Sequence, residues 1–279
     1  MKNFNGKVIV ITGAGSGMGR AYALEFARMG ARLALCDIDT ESLQETCKLV
    51  TSAANCDIYS QPLDVSDRNA VSAFADSVKQ RLGNAHMIIN NAGIGGGGQP
   101  AWHMEDAQYE RTLQINFLGV VYGTRAFLPQ LLANAEGAIV NVSSVFGLVG
   151  VPNTSDYCAA KFAVRGFTES LMVELSESPV TVHLVHPGGI RTNIAKGVEG
   201  GDEFTQRFLK TDANEFVRYV IKALRKGRQR IIYGHQSKPL WLMSWLLPLR
   251  LRNILLYRQM QPLLDSEAYK KVRSDDLSQ

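Results

Sequence analysis

The chain has 279 residues, 46% of them hydrophobic and 20% charged. That balance excludes a disordered chain and can bury a sizeable core, and the length suits one large α/β domain or two small ones. The formal net charge of +4 is unevenly spread: Arg218 to Arg258 holds ten Lys/Arg and no Asp/Glu, so the rest carries 20 basic against 26 acidic residues.

The opening stretch MKNFNGKVIVITG has no signal-peptide apolar region, and no apolar run approaches the roughly 20 residues that span a bilayer. The four cysteines (Cys36, Cys47, Cys56 and Cys158) form no CxxC pair and have no zinc-ligand spacing to a histidine. Reduced thiols, no metal site and a cytoplasmic protein are the expectation.

Along the chain, strands alternate with helices. VIVIT (8–12) is an apolar run ending in a glycine turn, which reads as a buried strand. Residues 18–29 have helical spacing and end at Gly30. RLALCD (32–37) is a strand, a helix follows from about Glu41, and 57–61 is a weaker strand. A helix starts near Asp67, with Val71, Phe74 and Val78 on one face. HMIIN (86–90) enters a glycine loop, and a long helical region covers about 104–134 with an interruption near Gly119. AIVNVS (138–143) is a strand, a helix covers about 155–177, and VTVHLVH (180–186) is a strand ending in Pro-Gly-Gly. A helix at 216–225 and a strand RIIYG complete the series. Such alternation implies parallel βαβ units in one doubly wound α/β domain. That domain is assigned to 1–234, and 235–279 to a C-terminal extension.

The sequence TGAGSGMG (12–19) lies between the first strand and the first helix. Glycines there let the backbone approach a pyrophosphate, and the helix start offers free N–H groups. Asp37 ends the second strand, where a carboxylate can bind the adenosine ribose hydroxyls and repel the extra phosphate of NADP. Arg20 is the competing signal for a phosphate. NAD is therefore favoured over NADP.

These residues resemble the compact, single-domain branch of the short-chain dehydrogenase/reductase family. TGAGSGMG is similar to its TGxxxGxG turn, and Asn90-Asn91-Ala92-Gly93 to its NNAG element. Asn116, NVSS (141–144), YCAAK (157–161) and the run Pro187 to Thr192 follow in the family's order. Met18 and Ala160 depart from the common isoleucine and serine without removing a reacting group. The resemblance implies a Rossmann fold with strand order 3-2-1-4-5-6-7 and helices on both faces. It implies cofactor contacts from Gly13, Ser16, Gly17, Met18, Gly19, Asp37, Asp64, Val65, Asn91, Ala92 and Gly93. On the nicotinamide side it implies Tyr157, Lys161, Pro187, Gly188, Ile190 and Thr192. It also implies a homodimer or homotetramer.

The chemistry of YCAAK can be read directly. Tyr157 and Lys161, at i and i+4, share one helix face, and a nearby ammonium favours the phenolate, lowering a pKa that is ordinarily about 10. Ser144 lies 13 residues before Tyr157, the family's spacing, and its hydroxyl would polarise a substrate oxygen. Ser143 is the neighbour that strand alternation turns away. By resemblance, Lys161 holds the nicotinamide ribose and Asn116 anchors a water linking Lys161 to solvent. The catalytic set is thus Asn116, Ser144, Tyr157 and Lys161. The pocket is assigned to Ser144, Phe146, Val151, Tyr157 and Ile194, with Ile94, Val145, Leu148 and Val149 as further apolar candidates. A mobile lid is expected around Gly197, Gly200 and Gly201. The substrate implied is a lipophilic secondary alcohol or ketone.

Residues 239–260, PLWLMSWLLPLRLRNILLYRQM, interleave apolar side chains with arginine. Pro239 and Pro248 should break the segment, and Leu251, Ile254, Leu255 and Met260 could form the face of a short helix with Arg252 and Arg258 elsewhere. Peripheral membrane contact, a subunit interface and a pocket cover remain open; nucleic acid is not expected, since no groove-reading motif is present. A catalytically silent dinucleotide-binding regulator and a membrane-docked scaffold are the alternatives to an enzyme.

Overall fold

The structure, a computed structural model, describes residues 1–198, 200–264 and 269. Seven parallel strands form one sheet in the order β3-β2-β1-β4-β5-β6-β7. They are β1 (Val8–Thr12), β2 (Arg32–Asp37), β3 (Ile58–Pro62), β4 (Met87–Asn90), β5 (Gly137–Val142), β6 (Val180–Pro187) and β7 (Arg230–Tyr233). β1, β4 and β5 are buried along their whole length, as strands covered on both faces must be.

The helices are α1 (Gly17–Arg28), α2 (Thr40–Ala53), α3 (Arg68–Leu82), α4 (Asp106–Leu113), α5 (Gly119–Leu132) and α6 (Ser155–Glu174). They continue with α7 (Gly201–Phe208), α8 (Ala213–Arg225), α9 (Ser237–Leu246) and α10 (Leu249–Met260). One face of the sheet packs on α1 and α8 through Phe26, Phe216 and Val220. The other packs on α3 and α5 through Phe74, Val78 and Phe127. A third apolar cluster joins Val145, Val149 and Phe208 to Leu240, Leu256 and Met260 of α9 and α10.

Local chemistry sets several of these ends. Asp39, Asp67 and Asp212 cap α2, α3 and α8 by accepting two backbone N–H bonds each. α1 has no side-chain cap at Ser16. A π-helical turn, Gln114–Leu118, joins α4 to α5 and accounts for the interruption foreseen near Gly119.

α7 begins at Gly201, at the end of the stretch read as a lid, with its acidic residues Asp202 and Glu203 in the first turn, where the helix dipole favours them. Two expectations are corrected. Pro239 does not break α9, because it lies in the first turn, where a missing N–H costs nothing; Pro248 does separate α9 from α10. The stripe by which α10 touches the body is Arg252, Leu256 and Met260, four residues apart, while Leu251, Ile254 and Leu255 face outward.

Strand order reverses between β1 and β4, opening a crevice at the carboxyl ends of the strands. A polar chain crosses beneath it. Asn90 donates to Thr124 Oγ1 (3.1 Å) and Asn141 Oδ1 (2.8 Å), and Asn141 donates to Thr168 Oγ1 (3.0 Å). β4, β5, α5 and α6 are thereby fixed to one another at the floor of the crevice.

Phe127 is 1% exposed and meets Phe74 edge-on, with ring centroids 6.0 Å apart. Phe127→Ala should cost about 3–5 kcal/mol, read as a lowered urea midpoint at unchanged slope.

Candidate active site

The nucleotide end is built from the turn after β1. A Cβ at Gly19 would collide with the carbonyl oxygen of Gly13, so only glycine lets α1 start this close to the turn. Asn91 fastens the turn after β4 to this one: its side chain donates to Thr12 O (3.0 Å) and Gly13 O (3.2 Å). The N–H groups of Asn91 and Ala92 both reach Thr12 Oγ1 at 3.0 Å. The Asn91 Oδ1 is buried with no partner in the chain. Uncapped N–H groups at Ser16 to Gly19, a glycine cradle and this orphaned acceptor fit a dinucleotide.

Asp37 accepts from the Gly15 N–H (2.7 Å) and the Asp39 N–H (3.0 Å), which leaves two of a carboxylate's four acceptor positions. Arg20 is engaged within the chain. Its guanidinium donates to Gly15 O (2.6 Å), Thr46 Oγ1 (2.9 Å) and Glu45 (2.5 Å). Asp64 is exposed and accepts from Ser66, and Val65 beside it is buried. Thr192 lies over the turn, close to Gly17.

The reacting end forms where α6 passes the end of β5. Lys161 is 4% exposed, donates to Val142 O at 3.2 Å and stands 5.6 Å from the centroid of the Tyr157 ring. Ser144 begins a short 3-10 turn, and its Oγ accepts from the Phe146 N–H at 3.1 Å, leaving the hydroxyl hydrogen free to donate. Ser143 points elsewhere, to Lys161 O at 2.8 Å. Asn116, in the π turn, makes both of its amide bonds to Ile94, at 2.8 Å to the N–H and 2.9 Å to the carbonyl. Asn116 and Lys161 converge at Gly93, where a Cβ would stand 2.7 Å from Oδ1 and 3.5 Å from Nζ.

Electrostatics correct one expectation. Burial pushes the Tyr157 hydroxyl up to about 12, with the Ser144 hydroxyl pulling partly back, and burial lowers Lys161 to about 8. Desolvation by burial is the largest cause of the Tyr157 shift. Positive charge brought to the site would favour the phenolate.

A cavity of about 210 Å³ opens in front of Tyr157 and Ser144. Phe146, Val151 and Ile194 line it, as do Met18, Asn91, Gly93, Lys161, Pro187, Gly188, Ile190 and Thr192. Val145 also lines it, whereas Leu148 and Val149 are core residues that do not, and Ile94 stands behind Asn116. Leu240, Leu256, Gln259 and Met260 close the outer wall, so the C-terminal helices cover the pocket.

Sequence reasoning passed over three residues that hold this site. His186 accompanies Ser144: its Nδ1 meets the Ser144 carbonyl at 2.7 Å, and burial lowers its pKa to about 4. The ring is neutral, so Nδ1 carries the hydrogen that it donates. Asp156 is buried and accepts from Thr112 Oγ1 (2.8 Å) and the Gly97 N–H (3.1 Å), binding the glycine loop to α4 and α6. Gln236 accepts from Gln259 at 2.6 Å in the pocket wall. An acid directly before the tyrosine, and a histidine directly before Pro-Gly-Gly, were the available signals.

Similar proteins are known. The family model for short chain dehydrogenases matches residues 7–202. SadH of Mycobacterium tuberculosis is 44% identical over 249 residues, covering 85% of this chain and 90% of SadH. Human epidermal retinol dehydrogenase 2 is 39% identical over 203 residues, covering 72% of this chain and 65% of that one. A short chain dehydrogenase/reductase from Burkholderia phymatum, solved with NAD, superposes with a TM-score of 0.79 at 29% identity over 100% of both chains. Another solved relative carries NADP. The chain belongs to the short-chain dehydrogenase/reductase family of NAD(P)-dependent oxidoreductases.

Proposed function

We propose that the chain interconverts a lipophilic secondary alcohol and its ketone with NAD, with Tyr157 as the proton-transferring group. The observation that carries this reading is a largely apolar cavity ending on two hydroxyls, Tyr157 and Ser144, beside a buried lysine. When bound, the nicotinamide cofactor supplies the hydride acceptor or donor. The chain's residues do the rest.

Ser144 donates its free hydroxyl hydrogen to the substrate oxygen and holds it against Tyr157. In oxidation the Tyr157 phenolate takes the alcohol proton; in reduction the phenol returns it. Lys161 sits beneath, supporting the phenolate and binding ribose hydroxyls. Asn116 anchors a water that links Lys161 to solvent, through the amide hydrogen that its bonds to Ile94 leave over. Gly13 and Ser16 to Gly19 hold the pyrophosphate, Asp37 the adenosine ribose, and Asp64 and Val65 the adenine end. Pro187, Gly188, Ile190 and Thr192 hold the carboxamide side. Pairing of α5 and α6 with a second copy is supported by the exposed Leu132, Phe162 and Val173.

Tyr157→Phe should keep cofactor binding and lose turnover by about 10²–10⁴-fold or more. Near-normal turnover would refute the assignment. A pH profile gives a second reading. Burial raises the Tyr157 pKa, so the phenolate is the minor form at neutral pH and its fraction grows with pH. Oxidation should therefore accelerate with rising pH while reduction does not, and this dependence should vanish in the phenylalanine variant.

Asp37 and the engaged Arg20 support NAD. NADH should bind about tenfold or more tightly than NADPH in a fluorescence titration, the scale of a hydrogen bond to a charged group. Asp37→Ser should narrow the gap. A reversed preference in the unaltered protein would overturn the choice of NAD.

A further inference from the structure

α9 and α10 form a helical hairpin with two unlike faces. The inner face closes the pocket through Leu240, Leu256 and Met260. The outer face is apolar and open: Trp245 is 68% exposed, Leu246 73% and Leu249 61%. Eight of the fourteen exposed large hydrophobic side chains among the described residues lie on these two helices. Such a concentration is unlike the scattered single exposures of an ordinary surface.

The charges on this face have one sign. Lys238, Arg250 and Arg258 are exposed around the apolar side chains, Arg252 is half-buried with its guanidinium directed at Ser244 O (3.4 Å), and Arg218 to Arg258 contains no Asp or Glu. This argues against a second copy as the occupant. A two-fold contact would set the same patch against itself and bring cations together. Nucleic acid would satisfy the cations and leave eight apolar side chains in water. An anionic lipid surface satisfies both: acyl chains take Trp245, Leu246 and Leu249, and headgroup phosphates take the arginines. No helix among the described residues is long and apolar enough to cross a membrane, so the contact lies in the interface.

The geometry points to the outer face of the α9–α10 hairpin as a docking surface for anionic membranes, through which lipophilic substrate reaches the pocket behind it. Docking itself is independent of catalysis; the route for substrate rests on the function proposed above. The hairpin is the wall between the apolar cavity and this surface. A ligand dissolved in a bilayer would pass from lipid to pocket by displacement of α10, whose less exposed residues are Arg252, Leu256, Gln259 and Met260 and whose Leu256, Gln259 and Met260 line the cavity.

The test is flotation of the full chain with vesicles of phosphatidylglycerol or of phosphatidylcholine. Binding to phosphatidylglycerol, weakened by salt, is expected, with far less binding to phosphatidylcholine. Arg250→Gln with Arg258→Gln should weaken it roughly 30-fold, at about 1 kcal/mol per cation near an anionic surface. Trp245→Ser with Leu246→Ser should weaken it independently of salt. In parallel, oxidation of a long-chain secondary alcohol held in phosphatidylglycerol vesicles should fall in both double variants, while oxidation of a short water-soluble alcohol stays unchanged. No flotation, or equal flotation with both lipids, would overturn the docking surface. So would sedimentation showing that the same substitutions split an oligomer, since the face would then be a subunit contact. Flotation without oxidation of any alcohol would leave docking standing and remove the enzymatic reading instead.

Discussion

A single buried ammonium group organises the reacting end of this protein. Lys161 has almost no contact with water, and the chain gives it one hydrogen bond, to the Val142 carbonyl. A charge so placed is costly unless other groups meet it. The cost shows in its lowered pKa, and it makes the neighbourhood receptive to hydroxyl oxygens and to a phenolate. The carboxyl end of β5, the Gly93 loop and the π turn at Asn116 close around that one nitrogen.

The fold supplies this convergence because parallel strands end together. β1, β4, β5 and β6 deliver the glycine turn, Asn91, Ser144 and Pro187 to one edge of the sheet. The Asn90–Asn141–Thr168 chain fixes the strands to the helices below that edge. Neutral His186 then ties β6 to the Ser144 carbonyl, so cofactor-side and substrate-side loops share a rigid base. The rest of the pocket wall comes from elsewhere, from α7, α9 and α10.

The strand–helix alternation was legible because hydrophobic runs and glycine turns are local signals. The motif residues were legible because their spacing fits elements that the periodicity independently indicates. The C-terminal hairpin was less so. In an apolar segment with interspersed arginines, periodicity alone cannot tell a buried face from an exposed one, and α10 turned Arg252 inward and Leu251, Ile254 and Leu255 outward. Pro239 was misread because a proline's effect depends on its place in the helix, which the sequence leaves open. The tyrosine pKa was misjudged for a related reason: helix spacing reveals a nearby charge but not how much solvent has been lost. Asp156 and His186 act through backbone partners distant in sequence, and only the folded chain brings those together.

The π turn between α4 and α5 carries a consequence for how this region can change. It lets one helical rod hold two faces out of phase. Upstream, Thr112 addresses Asp156; downstream, Thr124 addresses Asn90. Rewinding 114–118 as ordinary α-helix at unchanged length would rotate one half against the other by about 100°. Either the glycine loop over the pocket or the floor beneath it would lose its partner. A substitution there that favours plain α-helix thus acts at a distance, on Asp156 or on Asn90, even where the new side chain itself touches nothing.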